Sequence, residues 1–183
     1  MKRIIYIQLV AVVVFLLGCQ GGKQTPPGDE DDSLEVVADS TLYGICGAGT
    51  SMHSLELITD MEDTLHCLIN MDETSMVHGG LITGDRLALI ASKNADGEME
   101  AHQVVNLTSL MGKWTSLDKN FEICEGGEVR SSVGAESRRW VAWKMLNGQL
   151  LLNADTFDIV QLGADSLALE NATGIYIYKR QVN

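Results

Sequence analysis

Beyond Thr41 the apolar residues come in short runs, and a turn signal cuts each run before a helix of ordinary length can form. Asn94-Ala95-Asp96-Gly97 separates Arg86-Leu87-Ala88-Leu89-Ile90-Ala91 from the segment Met99 to Leu107, as a hairpin turn does. Glu125-Gly126-Gly127-Glu128 follows Phe121-Glu122-Ile123 in the same way. Asn147-Gly148 stands between Trp140-Val141-Ala142-Trp143-Lys144-Met145 and Gln149-Leu150-Leu151-Leu152. Asp165-Ser166-Leu167-Ala168-Leu169 and Ile175-Tyr176-Ile177-Tyr178 complete the series. Short strands at this spacing predict antiparallel barrels or sandwiches, so the chain is expected to be all-β. One stretch reads two ways. Leu57, Ile58, Met61, Leu65 and Leu68 fit a helical stripe, but they also fit two strands, Ser54–Thr59 and Thr64–Asn70, around the acidic turn Asp60-Met61-Glu62-Asp63. The strands are preferred, because the neighbours are β-like and a helix here would lack a glycine stop.

The N-terminal part has a different character. Lys2 and Arg3 precede an apolar run from Ile4 to Leu17 that is interrupted only by Tyr6 and Gln8. The run is shorter than the ~20 apolar residues a bilayer span needs, but it suits the core of a signal peptide. It ends in Leu16-Leu17-Gly18-Cys19, which resembles the lipobox of bacterial lipoproteins. That resemblance implies removal of residues 1–18, acylation of Cys19, and attachment to the cell envelope, with the outer membrane as the expected site. Two or more acyl chains make a stable anchor where one does not. Residues 19–40 hold both prolines of the protein (Pro26 and Pro27) and the run Asp29-Glu30-Asp31-Asp32. Such a segment buries too little apolar surface to offset the entropy of ordering it, and reads as a flexible acidic tether reaching on the order of 25 Å. In some Gram-negative anaerobes, acidic residues behind the lipidated cysteine resemble a surface-display signal; here they start later than in that pattern.

The formal charge is −12, and it becomes −14 once Lys2 and Arg3 leave with the signal peptide. This balance argues against nucleic acid as a partner, since phosphate binding needs clustered Lys and Arg.

The rest divides into residues 41–108 and 109–183, two small antiparallel β domains. The second resembles the lipocalin-like domains in lipoproteins of gut-type Gram-negative anaerobes. The matching points are Leu110-Met111-Gly112-Lys113-Trp114, Trp140-x-x-Trp143, Asn147-Gly148 before a leucine run, Asp165-Ser166-Leu167 and Tyr176-Ile177-Tyr178-Lys179-Arg180. The resemblance implies that Gly112 and Trp114 open the barrel, that Trp114 plugs one end, and that Arg180 packs over its ring. About 75 residues are expected to hold five or six strands where a full calyx needs eight, so no enclosed cavity is implied and Trp114 is expected to be structural. Residues 42–107 resemble the domain that often precedes this one, through Gly44-x-Cys46, Thr50-Ser51-Met52 and Gly84-Asp85-Arg86-Leu87. No activity comes with that likeness.

Catalytic signatures are missing from the sequence: there is no Gly-x-Ser-x-Gly elbow, His-Glu-x-x-His pair or phosphate loop. The soft ligands gather in the first domain, with His53, His66, His78, His102, Cys46, Cys67 and several methionines. Together these suit copper or zinc. Yet no tight Cys-x-x-Cys or His-x-His spacing occurs, and His66 and Cys67 would point to opposite faces of a strand. No metal or cofactor is therefore expected. Once Cys19 is lipidated three thiols remain. Cys46 and Cys67 share a domain and are the natural disulfide pair, leaving Cys124 as a buried free thiol; the alternative is that all three are buried and reduced. Asp-Ser/Thr followed by a small or aliphatic residue resembles an O-glycosylation signal of Gram-negative anaerobes and marks Ser33 and Ser40. The expected function is a non-enzymatic envelope lipoprotein, membrane-attached by its lipid, that binds a small apolar ligand or an envelope protein. Alternatives are an interaction lipoprotein with no small ligand and, behind it, a soft-metal buffer.

Overall fold

The computed structural model describes residues 38–70, 77–131 and 139–181. The segment read as a signal peptide, Cys19, Ser33 and the segment read as a tether, up to residue 37, lie outside the described residues. The described chain is almost entirely β.

Strands β1 (Leu42–Cys46), β2 (Ser54–Thr59) and β3 (Thr64–Ile69) form an antiparallel meander. The stretch that also fitted a helix is thus a hairpin. Alternation wins because it sends Leu55, Leu57, Cys67 and Ile69 into one core, whereas the helical stripe would have grouped Leu57 with Ile58, Met61 and Leu68, which are exposed. After β4 (Val77–His78), β5 (Arg86–Lys93) pairs with β1 and with β6 (Met99–Asn106) across the Asn94–Gly97 turn. β6 then lies parallel to β3 and closes a five-stranded barrel, and β4 adds to β6, also in parallel. A meander whose third strand runs parallel to the last is the connectivity of an OB-type Greek-key barrel. Topology by itself assigns it no ligand.

β5 reads as a continuous apolar run because both its faces are covered. Leu87 and Leu89 enter the first core, while Ala88 joins Val105 of β6 in the core of the second barrel. The connection between barrels is a short helix, α1 (Leu107–Leu110). Its cap, Asn106, is fully buried and fully bonded: Oδ1 accepts from Ser109 N at 2.9 Å, and Nδ2 donates to Gly80 O at 3.1 Å and Asp85 Oδ2 at 2.6 Å.

The second barrel contains eight strands rather than the expected five or six. They are β7 (Gly112–Thr115), β8 (Asn120–Ile123), β9 (Val129–Ser131), β10 (Trp143–Leu146), β11 (Gln149–Leu152), β12 (Asp155–Leu162), β13 (Ser166–Asn171) and β14 (Gly174–Arg180). Five of them have only three or four residues, and turns as short as Asn147-Gly148 join them, which is how eight fit. The antiparallel order is β10-β11-β12-β13-β14-β7-β8-β9. The two ends nearly close through a bridge between Glu128 and Ala142, where Val129 N donates to Val141 O at 3.0 Å.

The fold begins earlier than the tether boundary at residue 40 implied. Ser40 N and Oγ both donate to Asn147 Oδ1 at 2.8 Å, Asn147 N donates to Thr41 Oγ1 at 3.0 Å, and Asn147 Nδ2 donates to Ala38 O at 3.2 Å. The last tether residues therefore clasp the β10–β11 hairpin. Tyr43 Oη to Met145 O (3.1 Å), Gln103 Nε2 to Gly148 O (3.0 Å) and Gly79 N to Leu162 O (3.1 Å) further join the two barrels.

Candidate functional site

Of the motif residues of the second barrel, Trp114 is in the core, while Gly112 and Arg180 are half-buried. Trp114 is 1% exposed, and its indole N–H donates to Leu110 O at 2.8 Å at the end of α1. The Arg180 guanidinium lies 4.2 Å from the Trp114 ring centroid. It also donates to Ala164 O at 2.6 Å, to Met111 O at 2.8 Å and to Ser109 O. Gly112 adopts a φ of +125°, and a Cβ there would sit 2.6 Å from Arg180 Nη1, so the arginine can cross the linker only where no side chain stands. Further rings pack in the same core. Phe121 meets Trp140 and Tyr178 edge-on, each at 5.0 Å, and Trp140 meets Phe157 at 5.7 Å.

Cys46 and Cys67 are free thiols, both buried inside the first barrel. The expected disulfide is not formed. Cys46 is opposite Leu57 of β2, while Cys67 is opposite Leu55, so a whole strand lies between them. Two strand spacings amount to about 9.5 Å, beyond the ~7 Å Cα separation a disulfide bridges without backbone movement. Burial pushes the Cys67 thiol upward from its ordinary pKa. Cys124 is half-exposed rather than buried, and burial is again the largest cause of its raised pKa. The soft ligands do not converge. His53 and His66 face solvent, His102 Nε2 bonds Ser92 Oγ at 2.5 Å, and among the described residues no three His, Cys, Asp or Glu side chains form a metal-sized group. Ser40 is exposed, with its hydroxyl engaged by Asn147.

Five separate stretches of sequence instead build a groove of about 670 Å3 between the barrels. β1 contributes Tyr43 and Ile45, and the start of β5 contributes Arg86. The linker contributes Leu107 and Met111, and β10 contributes Trp143 and Met145, with the Glu125-Gly126-Gly127 turn as one rim. Tyr43, Met111 and Trp143 are half-buried and pack onto the second core. Burial raises the Tyr43 phenol pKa, nearby Asp39 adds to the rise, and Arg86 partly opposes it. Trp143 is pinned by its indole N–H, which donates to Cys124 O at 2.7 Å. A Cβ on Gly127 would approach Trp143 O to 3.1 Å at a φ of +83°, so the glycine pair lets the turn pass close beneath β10.

Arg86 reaches back to Asp60 in a bidentate ion pair, with Nη2 to Oδ2 at 2.6 Å, and that contact lowers the carboxyl pKa of Asp60. The guanidinium sits 5.9 Å from the Tyr43 ring centroid. The groove thus has an apolar floor and a rim of mixed charge, with Arg86 already committed. In the sequence Gly84 and Arg86, Met111, the Glu125-Gly126-Gly127 turn and Trp143 each fall in a different motif, and nothing sets them side by side. No protein-family model, curated protein or solved structure matches this chain.

Proposed function

We propose that the protein is a non-enzymatic lipoprotein of the cell envelope, anchored through Cys19, whose folded part holds a small apolar ligand in the groove between its barrels. The observation that carries this is where the space lies. The interior of the second barrel is packed with aromatic side chains, whereas the inter-barrel groove of about 670 Å3 has an apolar floor supplied by both barrels. That size falls in the range of small-molecule sites. A lipocalin-like origin for the second barrel belongs to the same proposal. Eight nearly closed antiparallel strands and the stacking of Arg180 on Trp114 support it, although a ligand would then bind beside the barrel and not within it.

One experiment tests anchor and groove together: a native mass spectrum of the full chain purified in mild detergent from its own cells. The expected species is the chain cut before Cys19, heavier by its acyl groups and by one bound apolar molecule. Ile45→Lys, in the groove wall, should keep the acyl mass and lose the ligand. A wild-type spectrum showing acyl groups alone refutes the groove, and one without acyl groups refutes the anchor. A second function, interaction with protein and no small ligand, is favoured by an exposed apolar strand edge elsewhere on the second barrel.

A further inference from the structure

Four polar residues of the inter-barrel groove bond within the protein. The Tyr43 phenol donates to Met145 O at 3.1 Å, and the Trp143 indole N–H donates to Cys124 O at 2.7 Å, so each ring spends its one donor internally. The Thr108 hydroxyl accepts from the Arg86 backbone N–H at 2.9 Å. The Arg86 guanidinium lines the groove, and Asp60 holds it in a bidentate pair. The fold builds that pair: Asp60 N donates to Tyr43 O at 3.3 Å, which fixes the turn after β2 against the first wall of the groove. Asp60 itself does not line the groove.

The remaining charges lean the same way. Burial would raise the Asp39 carboxyl pKa, but hydrogen bonds from Thr41 and Asn147 and the charge of Lys144 lower it, so Lys144 has a carboxylate of its own nearby. Glu125, on the rim turn, makes no ion pair among the described residues. Its charge still reaches Arg86, whose pKa is raised first by the Asp60 hydrogen bond and further by Glu125. Asp39, Asp60 and Glu125 together outnumber Arg86 and Lys144, in a chain whose formal charge is −12.

On the reading of this groove as a ligand site, we propose that its ligand is uncharged, and that Asp60 is the specificity residue that excludes anionic amphiphiles. An anionic head entering the groove would meet Glu125 and would find Arg86 already neutralised. Taking a charge out of water without a partner costs more than the apolar contact of its tail contributes. A neutral hydrocarbon or aromatic body meets the faces of Tyr43 and Trp143 and the side chains of Ile45 and Met111 without that cost. The selection is thus made by a repulsive element, the carboxylates, as much as by the apolar floor.

A competition in one vessel tests this. The full chain in mild detergent is offered equal amounts of phenylnaphthylamine and anilinonaphthalene sulfonate, which share one ring system and differ by a sulfonate. Native mass spectrometry weighs what stays bound. Wild type should hold the neutral probe over the sulfonate by about tenfold or more, ~1.4 kcal/mol. Asp60→Asn leaves Arg86 without its counter-charge and should bring the two probes near parity; Glu125→Gln should move the ratio the same way by less. Asp63→Asn removes an equal charge from the same turn, but Asp63 is not among the groups acting on Arg86, so the wild-type ratio should remain. A sulfonate bound as strongly as the neutral probe overturns the proposal, and so does an Asp60→Asn ratio no different from that of Asp63→Asn. If no neutral probe binds, or if Ile45→Lys leaves it in place, the groove itself is refuted and the proposal falls with it.

Discussion

The two barrels solve the same packing problem with different side chains. Five strands enclose a narrow interior, and the first barrel fills it with Leu, Ile, Val, Ala and two cysteines, without a single aromatic ring. Eight strands enclose a width that either holds a ligand or must be filled by large side chains. The second barrel fills it with Trp114, Trp140, Phe121, Phe157 and Tyr178. Strand number sets the volume, and side-chain size then decides whether a cavity survives. Here the rings pack against one another inside the second barrel, and grooves lie outside, among them one between the barrels and one along β14.

If large aromatics replace a ligand, removing one should be the most damaging change in the molecule. Trp114→Ala should cost about 3–5 kcal/mol and Trp114→Phe clearly less. Denaturant titration of the full chain by tryptophan fluorescence measures this, since all three tryptophans (Trp114, Trp140, Trp143) are in the second barrel. A midpoint unchanged by Trp114→Ala would mean the plug is dispensable. In the first barrel, Leu57→Ala should cost about 2–5 kcal/mol. Because Ala88 and Val105 of that barrel sit in the second core, the same tryptophan signal should shift with it. A fluorescence transition that ignores Leu57→Ala would show the barrels unfolding independently.

Arg180 comes next, and it matters more than a rim cation over a ring. The cation–π contact alone is worth ~0.5–2 kcal/mol, but three carbonyls from two segments also depend on it. Arg180→Leu should therefore cost about 2–3 kcal/mol, and Arg180→Lys should recover only part, since an ammonium cannot reproduce the planar fork. The surface pair of Asp60 and Arg86 should be worth less than ~1 kcal/mol. Its sign is fixed by the lowered Asp60 pKa: the contribution is present above the ordinary carboxylate range and is lost as pH falls through the depressed value. Asp60→Asn should remove that acid-side dependence from the denaturation midpoint. The smallest effect is on labelling and not on stability. Denatured full chain should show Cys46, Cys67 and Cys124 as three reactive thiols, and native chain should react quickly at Cys124 but not at Cys46 or Cys67. A single thiol after denaturation would restore the Cys46–Cys67 bridge and require the first barrel to rearrange.

Turn chemistry made much of the fold legible. Asn147 and Gly148 adopt φ values of 49° and 84°, the pair of positive angles a two-residue hairpin needs, and Asn-Gly announces this within two residues. The acidic stretch at Asp60–Asp63 separates β2 from β3 in the same way, and alternation alone told which residues face inward. The three-residue β9 and the two-residue β4 were beyond such reading, because strands that short carry no period. The tether boundary was misplaced for a related reason. Asp39 and Ser40 have the composition of solvated chain, yet both bond Asn147, more than a hundred residues away.

What the sequence determined by itself is everything decided between near neighbours: where the chain turns, which face of each strand is apolar, and that the result is β. Tertiary structure alone decided which strands meet. It placed β6 beside β3, ended β7 short of the β14 edge, and brought Tyr43 to Met145 to wall the groove. Those outcomes depend on how several covered surfaces pack at once around two closed barrels, and no local pattern encodes a choice made across a hundred residues.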